Sequence, residues 1–468
     1  AKRCRVPASV GVARHSGVSS QRAARDDGAG TPAALPEKPS ETRTSSSPRR
    51  ASSSIYGLIA EAQALERLVA ACGEKPYRAQ QIRHWVRGGV TDFEAMSNLP
   101  KPLRAHLARS LRDDDDDDDD SESGDASSGR RGVVPGGARR TESGPFALEL
   151  VAEQRSAKDG TIKRAYRLGD GPAIESVLMR YDDGRATACV SSQAGCAMGC
   201  VFCATGQMGF RRQLTATEIF EQVARFDAAL KTEEASKKKQ TSSASTTIPT
   251  PQQQQFRVVL MGMGEPLHNY RAVSEAIGMM SRELGIGARR VTVSTVGVVP
   301  NIARLAADHP NVGLAISLHA ATDTERSALL PANRRYGGLD ALMRAAVDHR
   351  RATGRRLTFE WALVRGQNDD VATARKLGDL LRRYDLVGPG AAHVNLIPLN
   401  PTDAYDGAPS NATAVRAFVD VLDRDYRVSA TVRVRRGIDI DAGCGQLADK
   451  VLANIPALDR GLVDPSVG

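Results

Sequence analysis

The sequence predicts an α/β fold: a partial, six-stranded relative of the (β/α)8 barrel, preceded by a small helical domain and a short antiparallel β segment. Three observations carry that prediction. From Arg185 onward, six apolar, β-branched runs alternate with amphipathic stretches of helical period, the pattern of successive βα units and a parallel sheet. Between 55 and 112, apolar residues recur at helical spacing. Between 146 and 184, three strand-like runs are parted only by Asp-Gly and Gly-Asp-Gly-Pro turns.

The elements follow in order. Residues 1–54, rich in Arg, Ser and Ala with no acid before Asp26, read as a disordered tail or a mitochondrial or plastid transit peptide. An organellar address implies the plastid or the mitochondrial matrix, and otherwise the reading is cytoplasmic. Residues 55–112 carry "LIAEAQALERLVAACG", "RAQQIRHWVRGG" and "LPKPLRAHLARSL", a helical accessory domain. Residues 113–145, with eight consecutive Asp, read as a low-complexity linker. "FALELVAE", "TIKRAYRL" and "AIESVLMRY" supply the antiparallel strands of 146–184. The barrel takes 185–455, with strands in "TACVSS", "FRVVLMG", "RRVTVST", "VGLAISL", "RLTFEWAL" and "HVNLIPL". Its helices include Thr217 to Leu230, opened by the capping box Thr215-x-x-Glu218, and Leu339 to Arg351. Residues 235–255, with polylysine and four Gln, read as a disordered insertion, and 456–468 as a tail. In such a barrel, chemistry belongs at the carboxyl ends of the strands.

Charge narrows the partners. Lys and Arg number 64 against 55 Asp and Glu, a net +9 that becomes +17 once the Asp tract is set aside. A surplus of that sign suits a polyanion such as RNA. No run of eighteen apolar residues exists, so no membrane partner is expected.

Three of the seven cysteines stand in "CAMGCVFC" as Cys196, Cys200 and Cys203. Structural zinc prefers four ligands, and no His lies within sixty residues of the triplet. Disulfide scaffolds need a far higher density of cysteine. Three thiolates on one loop can instead hold three irons of a [4Fe–4S] cluster, leaving the fourth iron open to a small molecule. The spacing resembles the signature of the radical-SAM superfamily, which implies S-adenosyl-L-methionine (SAM) at that iron. The resemblance also makes the fold a (β/α)6 radical-SAM barrel.

Further polar residues end the apolar strands. "GMGEPL" places Gly264 and Glu265 after the second barrel strand, where glycines admit backbone close to an ammonium group. Ser294, Ser317, His319 and Asn400 end later strands, and together they suggest a ring around a site. Two cysteines remain in unusual settings. Cys189 lies on the strand feeding the cluster loop, and Cys444 sits between glycines in "GIDIDAGCGQL". They read either as buried small hydrophobes or as a nucleophilic or redox pair.

The stretches "EKPYRAQQIRHWV", "IESVLMRYDDGRATACVSSQAGCAMGCVFCATG", "GFRRQLTATEI", "VVLMGMGEPLHNY", "RRVTVSTVGVVP", "LAISLHA", "VNLIPLNP" and "RRGIDIDAGCGQLA" resemble the radical-SAM RNA adenine-C2 methyltransferases of the RlmN type. The resemblance spans roughly 55–455 apart from the two low-complexity segments. It implies methylation of carbon 2 of adenine in large-subunit rRNA and tRNA, in a monomer served by a flavodoxin- or ferredoxin-type electron donor. It makes Cys444 the cysteine that carries the methyl group, Cys189 its disulfide-forming partner and Glu175 the proton acceptor. It also makes Gly264, Glu265, Ser294, Ser317, Leu318, His319 and Asn400 the SAM contacts, and Cys196, Cys200 and Cys203 the cluster ligands. Arg211, Arg212, Arg334 and Arg335, with the helical domain, are the expected RNA grips. Carbon-8 methylation, or a radical-SAM reaction on a non-RNA substrate, are the competing readings.

Overall fold

The structure is a computed structural model that describes residues 54–60, 63–90, 93–111, 146–240 and 256–448. All of these belong to one compact unit, Arg50–Gly468. The readings of 1–53, 113–145 and 456–468 lie outside the described residues, as does 241–255 of the insertion. No helix among the described residues is long and apolar enough to cross a membrane.

Four helices open the unit: α1 (Ile55–Ala60), α2 (Ala64–Ala71), α3 (Tyr77–Arg87) and α4 (Lys101–Ser110). Their buried residues fall at helical spacing, as in Leu65 and Val69, Ala79, Ile82 and Val86, and Leu103 and Leu107. Ser54 caps α1 by accepting from the Gly57 N–H at 3.1 Å. The module does not stand apart. Its apolar residues join one continuous core with the rest of the unit, and the Tyr56 ring meets Phe220 edge-on at 5.7 Å.

Three antiparallel strands follow: β1 (Leu148–Arg155), β2 (Ile162–Leu168) and β3 (Ala173–Arg180). β3 pairs antiparallel with β4 (Ala186–Cys189), and there the sheet changes character. A small hairpin of β5 (Gln193–Gly195) and β6 (Phe210–Gln213) encloses the cysteine loop and the four-residue helix α5 (Ala204–Gln207). Next comes α6 (Ala216–Gln240), opened by the expected capping box. Glu218 N–H donates to Thr215 Oγ1 (3.2 Å), and Thr215 N–H donates to Glu218 Oε2 (2.8 Å).

Parallel strands and helices then alternate: β7 (Phe256–Leu260), α7 (Tyr270–Leu284), β8 (Val291–Thr295), α8 (Val299–Asp308) and β9 (Gly313–Ser317). After α9 (Asp323–Leu329), α10 (Ala332–Arg335) and α11 (Gly338–Thr353) come β10 (Leu357–Leu363), α12 (Val371–Arg383), β11 (Ala392–Pro398), α13 (Ala412–Tyr426) and β12 (Ser429–Val432). The sheet order is β1-β2-β3-β4-β7-β8-β9-β10-β11-β12. From β4 to β12 the strands are parallel and lie in chain order, the wall of a partial (β/α) barrel.

Three details depart from the sequence reading. β12 is a seventh parallel strand. Its "SATV" alternates polar with apolar residues and is mostly exposed on the sheet edge, so it lacks the apolar run that marks the others. The β5–β6 hairpin is too short to show alternation. The insertion begins later than position 235, because helical hydrogen bonding carries α6 on to Gln240.

Candidate active site

The carboxyl ends of the parallel strands enclose a cavity. Into it converge Cys196, Cys200 and Cys203 from the loop after β5, Gly264 and Glu265 after β7, and Ser294 of β8. Ser317 of β9, His319, Asn400 and Cys444 complete the ring. Residues spread over 249 positions of sequence thus share one wall (444 minus 196 plus one).

Buried amides hold the loops that carry them. Gln222 of α6 clamps the chain just past β4, accepting from Ser191 N–H (2.8 Å) and donating to Ser191 O (3.0 Å). Gln193 Oε1 accepts from Glu265 N–H (2.8 Å), tying the cysteine side of the cavity to the "GMGEPL" loop. That loop approaches so closely that a Cβ on Gly262 would sit 2.7 Å from the Val190 carbonyl carbon. At Gly264, φ is +99°, and a Cβ would sit 2.5 Å from that of Gln193, so only glycine fits. Glu265 is fully enclosed. Its Oε1 accepts from Leu267 N–H (2.9 Å) and its Oε2 from Val296 N–H (2.7 Å). The carboxylate therefore fastens the end of β8 to the loop after β7, and burial raises its pKa to about 7.

The three thiols face the cavity from a loop built to receive sulfur anions. The Gly206 and Thr205 backbone N–H groups at the start of α5 act to lower the Cys203 thiol pKa against burial, and the Met198 N–H does the same for Cys196. Burial pushes Cys196 up to about 12 and Cys200 well above its ordinary value, so the bare thiols stay protonated at neutral pH. Among the described residues no three His, Cys, Asp or Glu side chains converge on one point as a single metal ion requires. A cube makes no such demand, because each thiolate takes its own iron. Three thiols with backbone N–H groups acting on two of them fit that group. Arg326, almost fully enclosed, is the nearby cation. It donates to the carbonyls of Ser317 (3.0 Å) and Leu318 (3.2 Å), and also to Val296 O and Asn333 Oδ1.

Two ring residues keep unused capacity toward the cavity. His319, at φ +59°, accepts at Nδ1 from Ala362 N–H (2.9 Å), so its proton sits on Nε2. Burial lowers its pKa to about 3, and the ring is a neutral donor. Asn400 Nδ2 donates to the Cys444 carbonyl (3.0 Å), while its buried Oδ1 has no hydrogen-bond partner among the described residues. An orphaned acceptor in a cavity wall fits a ligand that carries N–H or O–H groups.

The remaining expected residues are distributed differently. Leu318 is fully buried behind the wall and meets the site only through its backbone. Glu175 does not line the cavity. Its Oε2 accepts from Ala448 N–H (3.0 Å) and its Oε1 lies 3.2 Å from Lys163 Nζ, beneath the loop that presents Cys444. Burial raises its pKa, against the pull of Lys163. Cys189 and Cys444 are both free thiols. Cys189 is buried and does not line the cavity, and burial pushes its thiol up to about 12, with the Cys444 sulfur adding to the rise. The Cys444 loop is latched to the cluster loop by Ala204 N–H to Gly445 O (2.8 Å) and Thr205 Oγ1 to Leu447 O (2.6 Å).

Sequence reasoning missed Gln193, Gln222, Arg326, Glu360 and Arg433, because no local motif surrounds them. Arg212, expected to grip RNA, is occupied instead. It pairs with Asp170 and Glu218, each at 2.7 Å, while Arg211, Arg334 and Arg335 are exposed.

Residues 58–112, the helical module, match the family "Ribosomal RNA large subunit methyltransferase N-terminal domain". A "Probable dual-specificity RNA methyltransferase RlmN" of Moorella thermoacetica is 41% identical over 397 residues, covering 82% of this chain and 94% of that protein. The chain belongs to the RlmN family. A second RlmN relative, from Opitutus terrae, is 50% identical over 317 residues, covering 64% of this chain and 72% of its own. A radical SAM methyltransferase from Sphaerobacter thermophilus has a similar crystal structure, with a TM-score of 0.66, 41% identity and coverage of 84% of this chain and 98% of that one. The RlmN module, α1–α4, packs through α1 on α6 and α7 of the barrel.

Proposed function

We propose that this chain methylates carbon 2 of an adenine in large-subunit ribosomal RNA and in transfer RNA, using a methyl group carried by Cys444. The observation that carries the reading is the position of Cys444. It is an exposed thiol on the wall that also holds the cysteine triplet and the Gly264–Glu265 loop, with a second thiol, Cys189, close enough to influence it.

Carbon 2 of adenine is electron-poor and does not attack the methyl group of SAM. A [4Fe–4S] cluster on Cys196, Cys200 and Cys203, fed by a flavodoxin- or ferredoxin-type donor, would supply the electron that splits SAM into a radical able to take hydrogen from a methyl group. The chain's own residues do the rest. The Gly264 backbone, Ser294, Ser317, the Nε2–H of His319 and the unpartnered Oδ1 of Asn400 bind and orient SAM, while Glu265 fixes the loop they depend on. Cys444 accepts the methyl group as a thioether and presents it to the base. The adduct at carbon 2 sheds one electron, which the cluster would take back, and one proton, for which Glu175 beneath the Cys444 loop is the acceptor; Cys189 then attacks the Cys444 sulfur, the freed carbon takes a proton to become the methyl group, and a Cys189–Cys444 disulfide remains. The target base has to leave its stack to enter the cavity, which favours adenines in loops. The module α1–α4 with Arg211, Arg334 and Arg335 holds the RNA backbone.

The test is product analysis. Oxygen-free reconstituted protein, SAM and a reductant are incubated with ribosomal and transfer RNA, and the digested nucleosides are resolved by chromatography and mass spectrometry. The expected product is 2-methyladenosine. Appearance of 8-methyladenosine, or of 5′-deoxyadenosine without any methylated nucleoside, contradicts the reading.

A further inference from the structure

The stretch that presents Cys444 is held from below by the antiparallel strands. Gly437 N–H donates to Asp159 Oδ2 (2.9 Å), and the Asp439 carboxylate accepts from Ser156 Oγ (2.7 Å) and Ala157 N–H (3.1 Å). Those three partners sit in the turn between β1 and β2. Further along, Lys163 Nζ of β2 donates to Asp441 O (3.5 Å), and Ala448 N–H donates to Glu175 Oε2 of β3 (3.0 Å). Cys444 lies between those last two anchors. Lys163 and Glu175 are themselves an ion pair at 3.2 Å, and both are buried. Register explains the meeting. Lys163 pairs with Val177, Val177 pairs with Cys189, and Glu175 is two residues from Val177, so all four side chains share one face of the sheet.

A buried lysine needs partners, because an isolated ammonium in the interior is costly. Lys163 has the Glu175 carboxylate and the Asp441 carbonyl. The carboxylate uses its two oxygens unequally. Oε2 takes the Ala448 N–H, while Oε1 accepts no hydrogen bond among the described residues, although the ammonium stands beside it. A pair that served only the fold would close that bond. Oε1 thus keeps an unused lone pair next to a fixed positive charge. The groups facing the carboxylate are Lys163 from β2, with the Ala448 N–H and the Asp441 carboxylate from the Cys444 loop. Lys163 is the cation among them, and it opposes the burial that disfavours the carboxylate.

We propose that Lys163 is the positioning residue of the proton transfer: its ammonium favours the charged form of Glu175, leaves Oε1 ready to accept, and pins Asp441 so that the Cys444 loop stays over that oxygen. The inference rests on the acceptor role proposed for Glu175, and it names the oxygen and the residue that serve that role. In the step, the bond from carbon 2 to its hydrogen breaks and the proton passes to Glu175 Oε1. The electron pair of that bond stays with the ring, and the one electron in excess goes to the cluster, as the overall reaction requires. Lys163 keeps its charge throughout and gains no proton. The neutral acid left on Glu175 returns its proton to solvent before the next turnover, and the ammonium beside it favours that loss.

Full-length wild type, Lys163→Met and Lys163→Arg are compared in two ways. In protein without cluster, SAM or RNA, protonation of Glu175 is followed against pH by infrared difference spectroscopy, with Glu175→Gln identifying its carboxyl band. Removing the cation disfavours the carboxylate, so Lys163→Met is expected to protonate Glu175 about one pH unit higher than wild type, with Lys163→Arg close to wild type. In reconstituted protein, single-turnover formation of 2-methyladenosine is timed across pH. The acid limb of that profile should move up by the same amount in Lys163→Met and return in Lys163→Arg. If Lys163→Met does not fold, Lys163→Gln carries the same comparison. Infrared titrations that superimpose, or a rate lowered equally at every pH, overturn the inference and leave the functional reading intact. A wild type that makes no 2-methyladenosine removes the functional reading, and the inference falls with it.

Discussion

Two neighbouring regions treat buried polar groups in opposite ways. On the barrel's outer face, α6 fills its polar capacity within the chain. Glu221 takes Arg225 at 2.7 Å and the Ala147 N–H at 2.9 Å, and Gln222 is used at both ends of its amide. In the cavity, Asn400 Oδ1 and Glu360 Oε2 accept no hydrogen bond among the described residues. Leaving an acceptor such as Asn400 Oδ1 unpaired costs about 1–3 kcal/mol, a cost that Glu221 and Gln222 of α6 avoid. The difference separates groups that hold the fold from groups that await a ligand.

The sharpest way to break that comparison is at Cys444, which contributes nothing to the core. Cys444→Ala is expected to fold as wild type and to lose methyl transfer by roughly a thousandfold or more, as for loss of a covalent catalyst. A variant that still turned over would place the cavity's chemistry elsewhere. Cys189→Ala is expected to trap the protein–RNA adduct, visible as a protein band carrying RNA. On the helix side, Glu221→Ala leaves Arg225 without its carboxylate and should lower unfolding free energy by about 3 kcal/mol in denaturant titration. The folded fraction of that variant should bind SAM normally.

Asn400→Ala gives the converse result. It removes the unpartnered Oδ1 together with the Nδ2 hydrogen bond to the Cys444 carbonyl, so SAM affinity should fall about tenfold while unfolding free energy drops by only about 1 kcal/mol. Equal losses of affinity and stability would erase the distinction between the two regions.

The smallest effect concerns an exception on the helix side. His349 of α11 is buried with neither ring nitrogen hydrogen-bonded among the described residues, and burial lowers its pKa to about 4. The unfolded chain therefore binds a proton below about pH 6.5 that the folded chain refuses until about pH 4. Stability from this residue is present above that window and drains away as pH falls through it. His349→Leu should remove the dependence, so its melting temperature should drop by a few degrees less than that of wild type between about pH 6.5 and 4.

What the sequence reveals depends on the distance between interacting residues. The cysteine triplet spans eight positions, and its gaps alone specify a cluster loop. The capping box of α6 spans four. Six parallel strands announce themselves because their runs are apolar and β-branched. β12 does not, because it lies mostly exposed at the sheet edge and its four residues mix Ser and Thr with Ala and Val. Arg433 stands 3.7 Å from Glu360 across 73 positions (433 minus 360), a separation at which no local pattern speaks. Arg212 shows the reverse error. In the chain it looks like one of two adjacent basic residues, and only the fold brings Asp170 and Glu218 to it.

The most direct trial of the account is to follow one labelled methyl group. Reconstituted enzyme is loaded with methyl-labelled SAM, freed of it, and then given unlabelled SAM and RNA, with the Cys444 peptide and the nucleosides weighed at intervals. The label should appear first on Cys444 and pass from there to carbon 2 of adenine. Labelled nucleoside formed while the Cys444 peptide never gains mass would contradict the account at its centre.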